Sequence, residues 1–254
     1  MKLYYQSQGS GQPLIILHGL FGSSDNWRGL ARQLAAHAQV ITVDLRNHGR
    51  SPHSNALNYD LMADDVAELM ADLGLQQVDI IGHSIGGKVA MILAARYSER
   101  VRRLVIVDMA PKRYSDSHSD IFEALLALDL TQFTQRSEVD AALAHSIADK
   151  AIRQFLLMNL ALDEGKLQWR INLQGLADNY PQLLQAVCDE ERVRQPILFL
   201  RGGLSNYIEK GDEVMIKQLF PNSEMVIFEQ AGHWIHAEIP ALFLTTVKQF
   251  FDYD

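Results

Sequence analysis

Short uninterrupted apolar runs alternate with stretches whose apolar residues recur at helical spacing. Pro13-Leu14-Ile15-Ile16-Leu17, Val40-Ile41-Thr42-Val43, Val78-Asp79-Ile80-Ile81 and Leu104-Val105-Ile106-Val107 each read as a short buried strand. Between them, Trp27 to Ala35, Tyr59 to Leu73 and Gly87 to Arg96 read as helices; the second places Leu61, Met62, Val66, Leu69, Met70 and Leu73 on one side. Strands that are apolar on both faces and separated by helices predict a parallel sheet covered on both sides. The alternation stops after Pro111. From there to about residue 192 the pattern predicts helices over Ile121–Leu128, Val139–Ala148 and Ala151–Leu160, with one short extended piece near Leu167–Arg170. Strand and helix resume at Pro196–Arg201 and Met225–Phe228, and a closing helix is expected over Pro240–Phe251. The expected organisation is a core from 1–111 and 193–254, interrupted by a helical cap at 112–192.

Composition narrows the class. A chain of 254 residues that is 48% hydrophobic can bury one sizeable core. The net charge of −8 is dispersed, with no basic run to suggest nucleic acid. Cys188 is the single cysteine, so no intrachain disulfide forms. No apolar stretch approaches the ~20 residues of a membrane span. The first residues, Met1 to Ser7, lack an apolar leader core, and a cytoplasmic protein is expected. Monomer and homodimer remain equally open.

The candidate chemistry begins at Gly82-His83-Ser84-Ile85-Gly86, a G-x-S-x-G pentapeptide between a predicted strand and a predicted helix. In that setting the motif forms a sharp turn that lifts the serine hydroxyl free of its own backbone, beside the helix N-terminus. A serine nucleophile needs a base, a group that orients the base, and donors for the oxyanion. Open parallel sheets gather such groups at the carboxyl ends of their strands.

His233, in Gly232-His233-Trp234, follows the last strand and is the expected base. His18 is expected to hydrogen-bond structurally, His83 to point away from the nucleophile, and His236 to meet the cap or solvent. The oxyanion donors are expected to be the amides of Ile85 and Leu20, with Phe21 the fallback for the second. The acid is less direct. Its usual place in this architecture, after the strand Pro196–Arg201, holds Ser205, while Glu209 and Asp212 read as surface charges. Asp108, ending the strand after the elbow helix, is either the acid or a cap of the loop before Pro111; a charge ending a buried strand requires a partner. With Asp108 as the acid, Ser205 is expected to matter little. Asp44 and Ser51 read as loop staples and Arg46 as a loop salt bridge.

These motifs, in this order, resemble the α/β-hydrolase superfamily over essentially the whole chain. The segments carrying the resemblance are His18–Ser23, Asp44–Ser51, Gly82–Lys88 and Gly232–Glu238. Together they are similar to the YbfF-type bacterial esterases. The resemblance implies an α/β-hydrolase fold, hydrolysis of carboxylic esters and acyl thioesters including acyl-CoA, and a triad acid at Asp108. It requires no cofactor and no metal. The substrate is then a small-molecule acyl ester or thioester. The resemblance carries over no cap motif; by position along the chain, Phe21, Trp234, Phe155 and Met158 are the expected substrate-binding residues. Two other readings stand beside this one: a carbon–carbon bond hydrolase, which also uses a serine, and a ligand-binding relative without turnover. A dehalogenase or epoxide hydrolase would need Asp in place of Ser84.

Overall fold

The computed structural model describes residues 1–188 and 192–253. The chain runs through β1 (Tyr5–Gln8), β2 (Pro13–Leu17), α1 (Arg28–Leu34), β3 (Gln39–Val43), α2 (Tyr59–Asp72), β4 (Val78–His83), α3 (Ile85–Arg96) and β5 (Val101–Val107). The segment after β5 carries α4 (Ser119–Leu126), α5 (Arg136–Leu143), α6 (Lys150–Leu157), β6 (Leu160–Asp163), β7 (Lys166–Trp169) and α7 (Leu173–Leu183). The sheet resumes with β8 (Ile197–Gly202), α8 (Asp212–Leu219), β9 (Ser223–Phe228), α9 (Ile235–Glu238) and α10 (Pro240–Phe250).

The seven-stranded sheet has the order β1-β3-β2-β4-β5-β8-β9. Every neighbouring pair is parallel except the edge strand β1, which is antiparallel to β3. This is the α/β-hydrolase fold. Strand residues alternate between two apolar layers. Ile15, Leu17, Ile41, Ile80, Leu104 and Phe199 face a core shared with α2, α3 and the helices inserted after β5. Leu14, Ile16, Val40, Ile81, Val105 and Leu198 face the opposite core, with α1 and α10. Burial on both faces explains why these strands read as continuous apolar runs.

Chain direction across the sheet reverses after β3, so β2 has β3 on one side and β4 on the other. The carboxyl ends of β2, β4 and β5 therefore lie side by side, and they present Leu20, Ser84 and Asp108. Crevices at such reversals are where open sheets bind ligands.

Four elements went beyond the sequence pattern. The segment Tyr5–Gln8 is too polar to announce a strand, yet it pairs with β3. Ala151–Leu160 was expected to be one helix, but α6 ends at Leu157 and Leu160–Asp163 pairs with β7 as a hairpin, turning at Glu164-Gly165 with positive φ. Helix α7 carries Pro181 near its end and Gly175 near its start, which obscures its periodicity. Helix α8 opens on Asp212, which accepts from the Glu209 amide at 2.8 Å and from Lys112 Nζ at 2.7 Å. Asp212 is thus a largely buried ion-pair partner rather than a surface charge. The expected domain limits reach residues 189–191 and 254, which lie outside the described residues. Among the described residues no helix is long and apolar enough to cross a membrane.

Candidate active site

Ser84 sits between β4 and α3 with φ 53° and ψ −123°. A non-glycine residue there is strained, and the surroundings must hold it. Two glycines make that possible. A Cβ on Gly82 would lie 2.4 Å from the Gly86 carbonyl oxygen, and one on Gly86 would lie 2.5 Å from the Leu17 carbonyl oxygen. The Ser84 amide donates to Val107 at 3.1 Å, and its carbonyl accepts from Gly87 at 2.8 Å. The elbow is thereby locked into β5 below and α3 above. Ser84 Oγ makes no hydrogen bond to His233 in this structure; both residues line the same small cavity.

Asp108 directly follows β5 and is fully buried, with φ 49°. His233 Nδ1 donates to its Oδ2 at 2.8 Å. Oδ1 accepts from the Gly202 amide at 2.9 Å, and Oδ2 also accepts from the Ser205 hydroxyl. The carboxylate needed a partner and has three. Ser205 is correspondingly no bystander: it holds the carboxylate that holds the histidine.

The loop carrying His233 is fixed from several sides. Glu238 accepts from the Gly232 amide at 2.7 Å and the Trp234 amide at 3.1 Å, the two amides that flank His233. His83 Nε2 donates to the His233 carbonyl at 3.0 Å. The expectation that His83 simply points away is corrected on this contact: its ring is buried and lies 4.7 Å from the His233 ring. His236 is corrected too. It meets neither cap nor solvent, but stacks on Trp27 at 4.2 Å and packs edge-on against His83 at 4.6 Å. Burial holds His236 neutral, pushing it down to about 3, and pushes His83 well below the ordinary histidine range. Tyr207 lies flat against His233, with ring centroids 3.7 Å apart and planes at 15°.

The turn that carries the expected oxyanion donor Leu20 runs from Gly19 to Gly22 and is closed by a 2.9 Å hydrogen bond from the Gly22 amide to the Gly19 carbonyl. Phe21 takes φ 60° in this turn, and its carbonyl accepts from Asn159 Nδ2 at 2.7 Å. His18 anchors the turn from below. Its Nδ1 donates to the Gly19 carbonyl at 2.8 Å, and its Nε2 accepts from the Leu45 amide at 3.0 Å. The Ile85 amide is at the first position of α3, where helical amides have no partner within the helix. The neighbouring Asp44 loop is stapled as expected. Asp44 accepts from the amides of Ser24 at 2.6 Å and Arg50 at 2.8 Å, Ser51 donates to its carbonyl, and Arg46 makes a buried two-point pair with Asp65.

Two cavities meet at Ser84. The larger, of about 680 Å³, is bordered by apolar residues that include Leu20, Ile85, Met109, Ile121 and Leu183 and by charged residues that include Lys112, Arg113 and Glu209. The smaller, of about 70 Å³, is bordered by Phe21, Phe155, Leu156, His233 and Trp234. Leu20, Phe21, Phe155 and Trp234 are thus brought to Ser84, the last two with rings 5.7 Å apart. Met158 is not. It lies just past the end of α6, is 43% exposed, borders neither cavity, and meets Asn26 instead. The phase of α6 turns Ile152, Phe155 and Leu156 inward and leaves the residue beyond its last turn on the surface.

Sequence reasoning missed His83, Ser205, Tyr207 and Glu238 as supports of the site. Only Glu238 left a local signal, a carboxylate four residues after Trp234 that can fold back onto the start of its own helix.

The fold and the elbow define a class, and the comparisons agree with it. The chain belongs to the α/β-hydrolase family, whose model, described as alpha/beta hydrolase fold, matches residues 12–240. It is 34% identical to Esterase YbfF of Escherichia coli, over 96% of this chain and 95% of that protein. It is 36% identical to the sn-1-specific diacylglycerol lipase ABHD11 of Danio rerio, over 97% of this chain and 80% of that one. A solved structure described as a marine microorganism esterase superposes with a TM-score of 0.95 at 39% identity, covering 98% of this chain and 99% of that one.

Proposed function

We propose that the protein is a serine esterase that cleaves carboxylic esters, and acyl thioesters with them, through an acyl-enzyme on Ser84. The observation that carries this reading is the 2.8 Å contact from His233 Nδ1 to the buried Asp108, with His233 and the strained Ser84 bordering one cavity. The Asp108 carboxylate can only accept from His233. The imidazole proton therefore sits on Nδ1 and leaves the Nε2 lone pair available as a base.

The steps follow from that tautomer. Ser84 Oγ bonds to the acyl carbon as its proton passes to Nε2. The carbonyl π electrons move to oxygen, where the Ile85 and Leu20 amides stabilise the charge. The bond to the leaving oxygen or sulfur breaks as Nε2 returns the proton to it. Water then repeats the sequence on the acyl-enzyme and frees Ser84. The inserted helices serve as a cap over these groups, contributing Phe155 and Ile152 to the cavity walls. The larger cavity, lined by both apolar and charged residues, suits a substrate with an apolar chain and a polar end. The names of the esterase and lipase relatives support ester chemistry; the extension to thioesters rests on the resemblance to the YbfF-type group.

The test is labelling with a fluorophosphonate probe, together with a panel of p-nitrophenyl esters and acyl-CoAs. The wild-type protein should label and turn over esters. Ser84→Ala should do neither, at unchanged melting temperature. An unlabelled wild type would favour a ligand-binding relative, and turnover by Ser84→Ala would remove the nucleophile assignment.

A further inference from the structure

We infer that Tyr207 is a positioning residue for His233: its ring holds the imidazole in register with Asp108 and stabilises it while it carries the proton taken from Ser84. This rests on the reading of His233 as the base.

Tyr207 lies on the loop after β8, the same loop that supplies Ser205 to Asp108. Its ring covers one face of the imidazole, at 3.7 Å between centroids and 15° between planes. Its backbone is fixed at two points, and the Tyr114 ring packs beside it with centroids 5.4 Å apart. The Tyr207 carbonyl accepts from the Tyr114 hydroxyl at 2.7 Å, and its amide donates to Ser205 Oγ at 3.2 Å. Burial pushes the Tyr207 phenol up to about 12, so the ring stays uncharged through the working range. What it offers the imidazole is therefore its π face. A cation over an aromatic face is attracted by the ring quadrupole, and the neutral imidazole lacks that attraction. The attraction exists only while His233 is protonated, which is the state formed as Ser84 attacks. Flat contact also restricts rotation of the imidazole away from Asp108.

The other groups around His233 allow this effect to be isolated. Asp108 meets Nδ1 from the end of β5, and Glu238 on α9 holds the flanking amides. Among the described residues, His83 from the end of β4, His118 from the loop before α4 and His236 on α9 are further titratable groups that interact with His233. Burial pushes all three down, His118 to about 4 and His236 to about 3, so above pH 5 they stay neutral. Trp234, with its ring 6.3 Å away, carries no charge.

The experiment is kcat and KM for p-nitrophenyl acetate between pH 5 and 9 in wild type, Tyr207→Leu and Tyr207→Phe, with melting temperatures recorded. Tyr207→Leu should lower kcat about 3- to 30-fold with KM nearly unchanged, and its acid limb should move about 0.5–1 unit toward lower pH. Tyr207→Phe, which keeps the π face, should retain both kcat and the limb. If Tyr207→Leu does not fold, Tyr207→Met serves with the same readouts. A leucine variant whose limb stays in place overturns the inference, as does a phenylalanine variant that falls as far as leucine. The two readings fail separately. A wild type without ester turnover removes the base assignment, whereas an active wild type with an insensitive Tyr207→Leu removes only the role of Tyr207.

Discussion

Ser84 and His233 border one cavity but are held in place by different means. Around Ser84 the position is set by backbone: two glycines that admit no side chain, and main-chain hydrogen bonds to Val107 and Gly87. Around His233 it is set by side chains brought from distant parts of the chain: Asp108, His83, Ser205, Tyr207 and Glu238. The first construction is compact in sequence and intolerant of added atoms. The second is spread over 150 residues of separation and should yield one contact at a time.

Acid should separate the two most strongly. The elbow depends on carbonyls and glycines, which do not titrate. The flanking loops rest on buried neutral histidines, with His236 beside the His233 loop and His48 packed 4.9 Å from His18 under the Gly19–Gly22 turn. Burial lowers both His48 and His236 to about 3 in the folded protein, against an ordinary value of 6.5. The unfolded chain therefore binds these protons first. Their contribution is fully present above pH 6.5 and is lost as pH falls toward 3. By pH 5 each should have cost about 2 kcal/mol, or about 4 kcal/mol together, a large share of typical domain stability. Urea unfolding at pH 7 and pH 5 measures this. Equal stability at the two values would mean that these histidines are not buried and neutral, and His236→Phe, which keeps the stack on Trp27, should lessen the loss.

Gly82→Ala probes the backbone half. Its new Cβ would sit 2.4 Å from a carbonyl oxygen that cannot move without unwinding the start of α3. The expected cost is about 3 kcal/mol, or roughly 6–12 °C in melting temperature, with activity falling in step. A variant that melts like wild type would show the elbow to be looser than described. Glu238→Ala probes the side-chain half more gently. It strips an acceptor from the two amides flanking His233, at about 1–2 kcal/mol, and kcat should fall about tenfold while fluorophosphonate labelling of Ser84 persists. Ser205→Ala should be milder still, about 3- to 10-fold in kcat, because the Gly202 amide and His233 continue to hold Asp108. A Ser205→Ala effect larger than that of Glu238→Ala would reverse this ranking.

The same division explains what the sequence disclosed. Short apolar runs marked β2, β3, β4, β5 and β8, because strands buried on both faces are mostly apolar, with isolated exceptions such as Asp79 and Thr42. The edge strand β1, with a burial pattern that never becomes fully apolar, gave no such mark. The elbow was legible because strand, turn, glycines and helix are contiguous, and His233 because its loop follows the last strand. His83 was visible as the residue before Ser84, yet its bond to the His233 carbonyl depends on how β9 returns beside the sheet, which no local pattern encodes. Position along the chain suggests a pocket role for Met158, but α6 ends one residue earlier and leaves it outside.

The central claim is that Asp108, rather than a residue of the loop after β8, completes the triad, and Asp108→Asn tests it most directly. Asparagine keeps the shape but cannot hold the imidazole in the same tautomer, and the corresponding change in a serine protease triad costs about 10⁴ in kcat. The account predicts a fall of about 10³–10⁴ in kcat for p-nitrophenyl acetate, with KM within a few-fold of wild type and Ser205→Ala far less affected. An Asp108→Asn enzyme within tenfold of wild type, or one more active than Ser205→Ala, would contradict it.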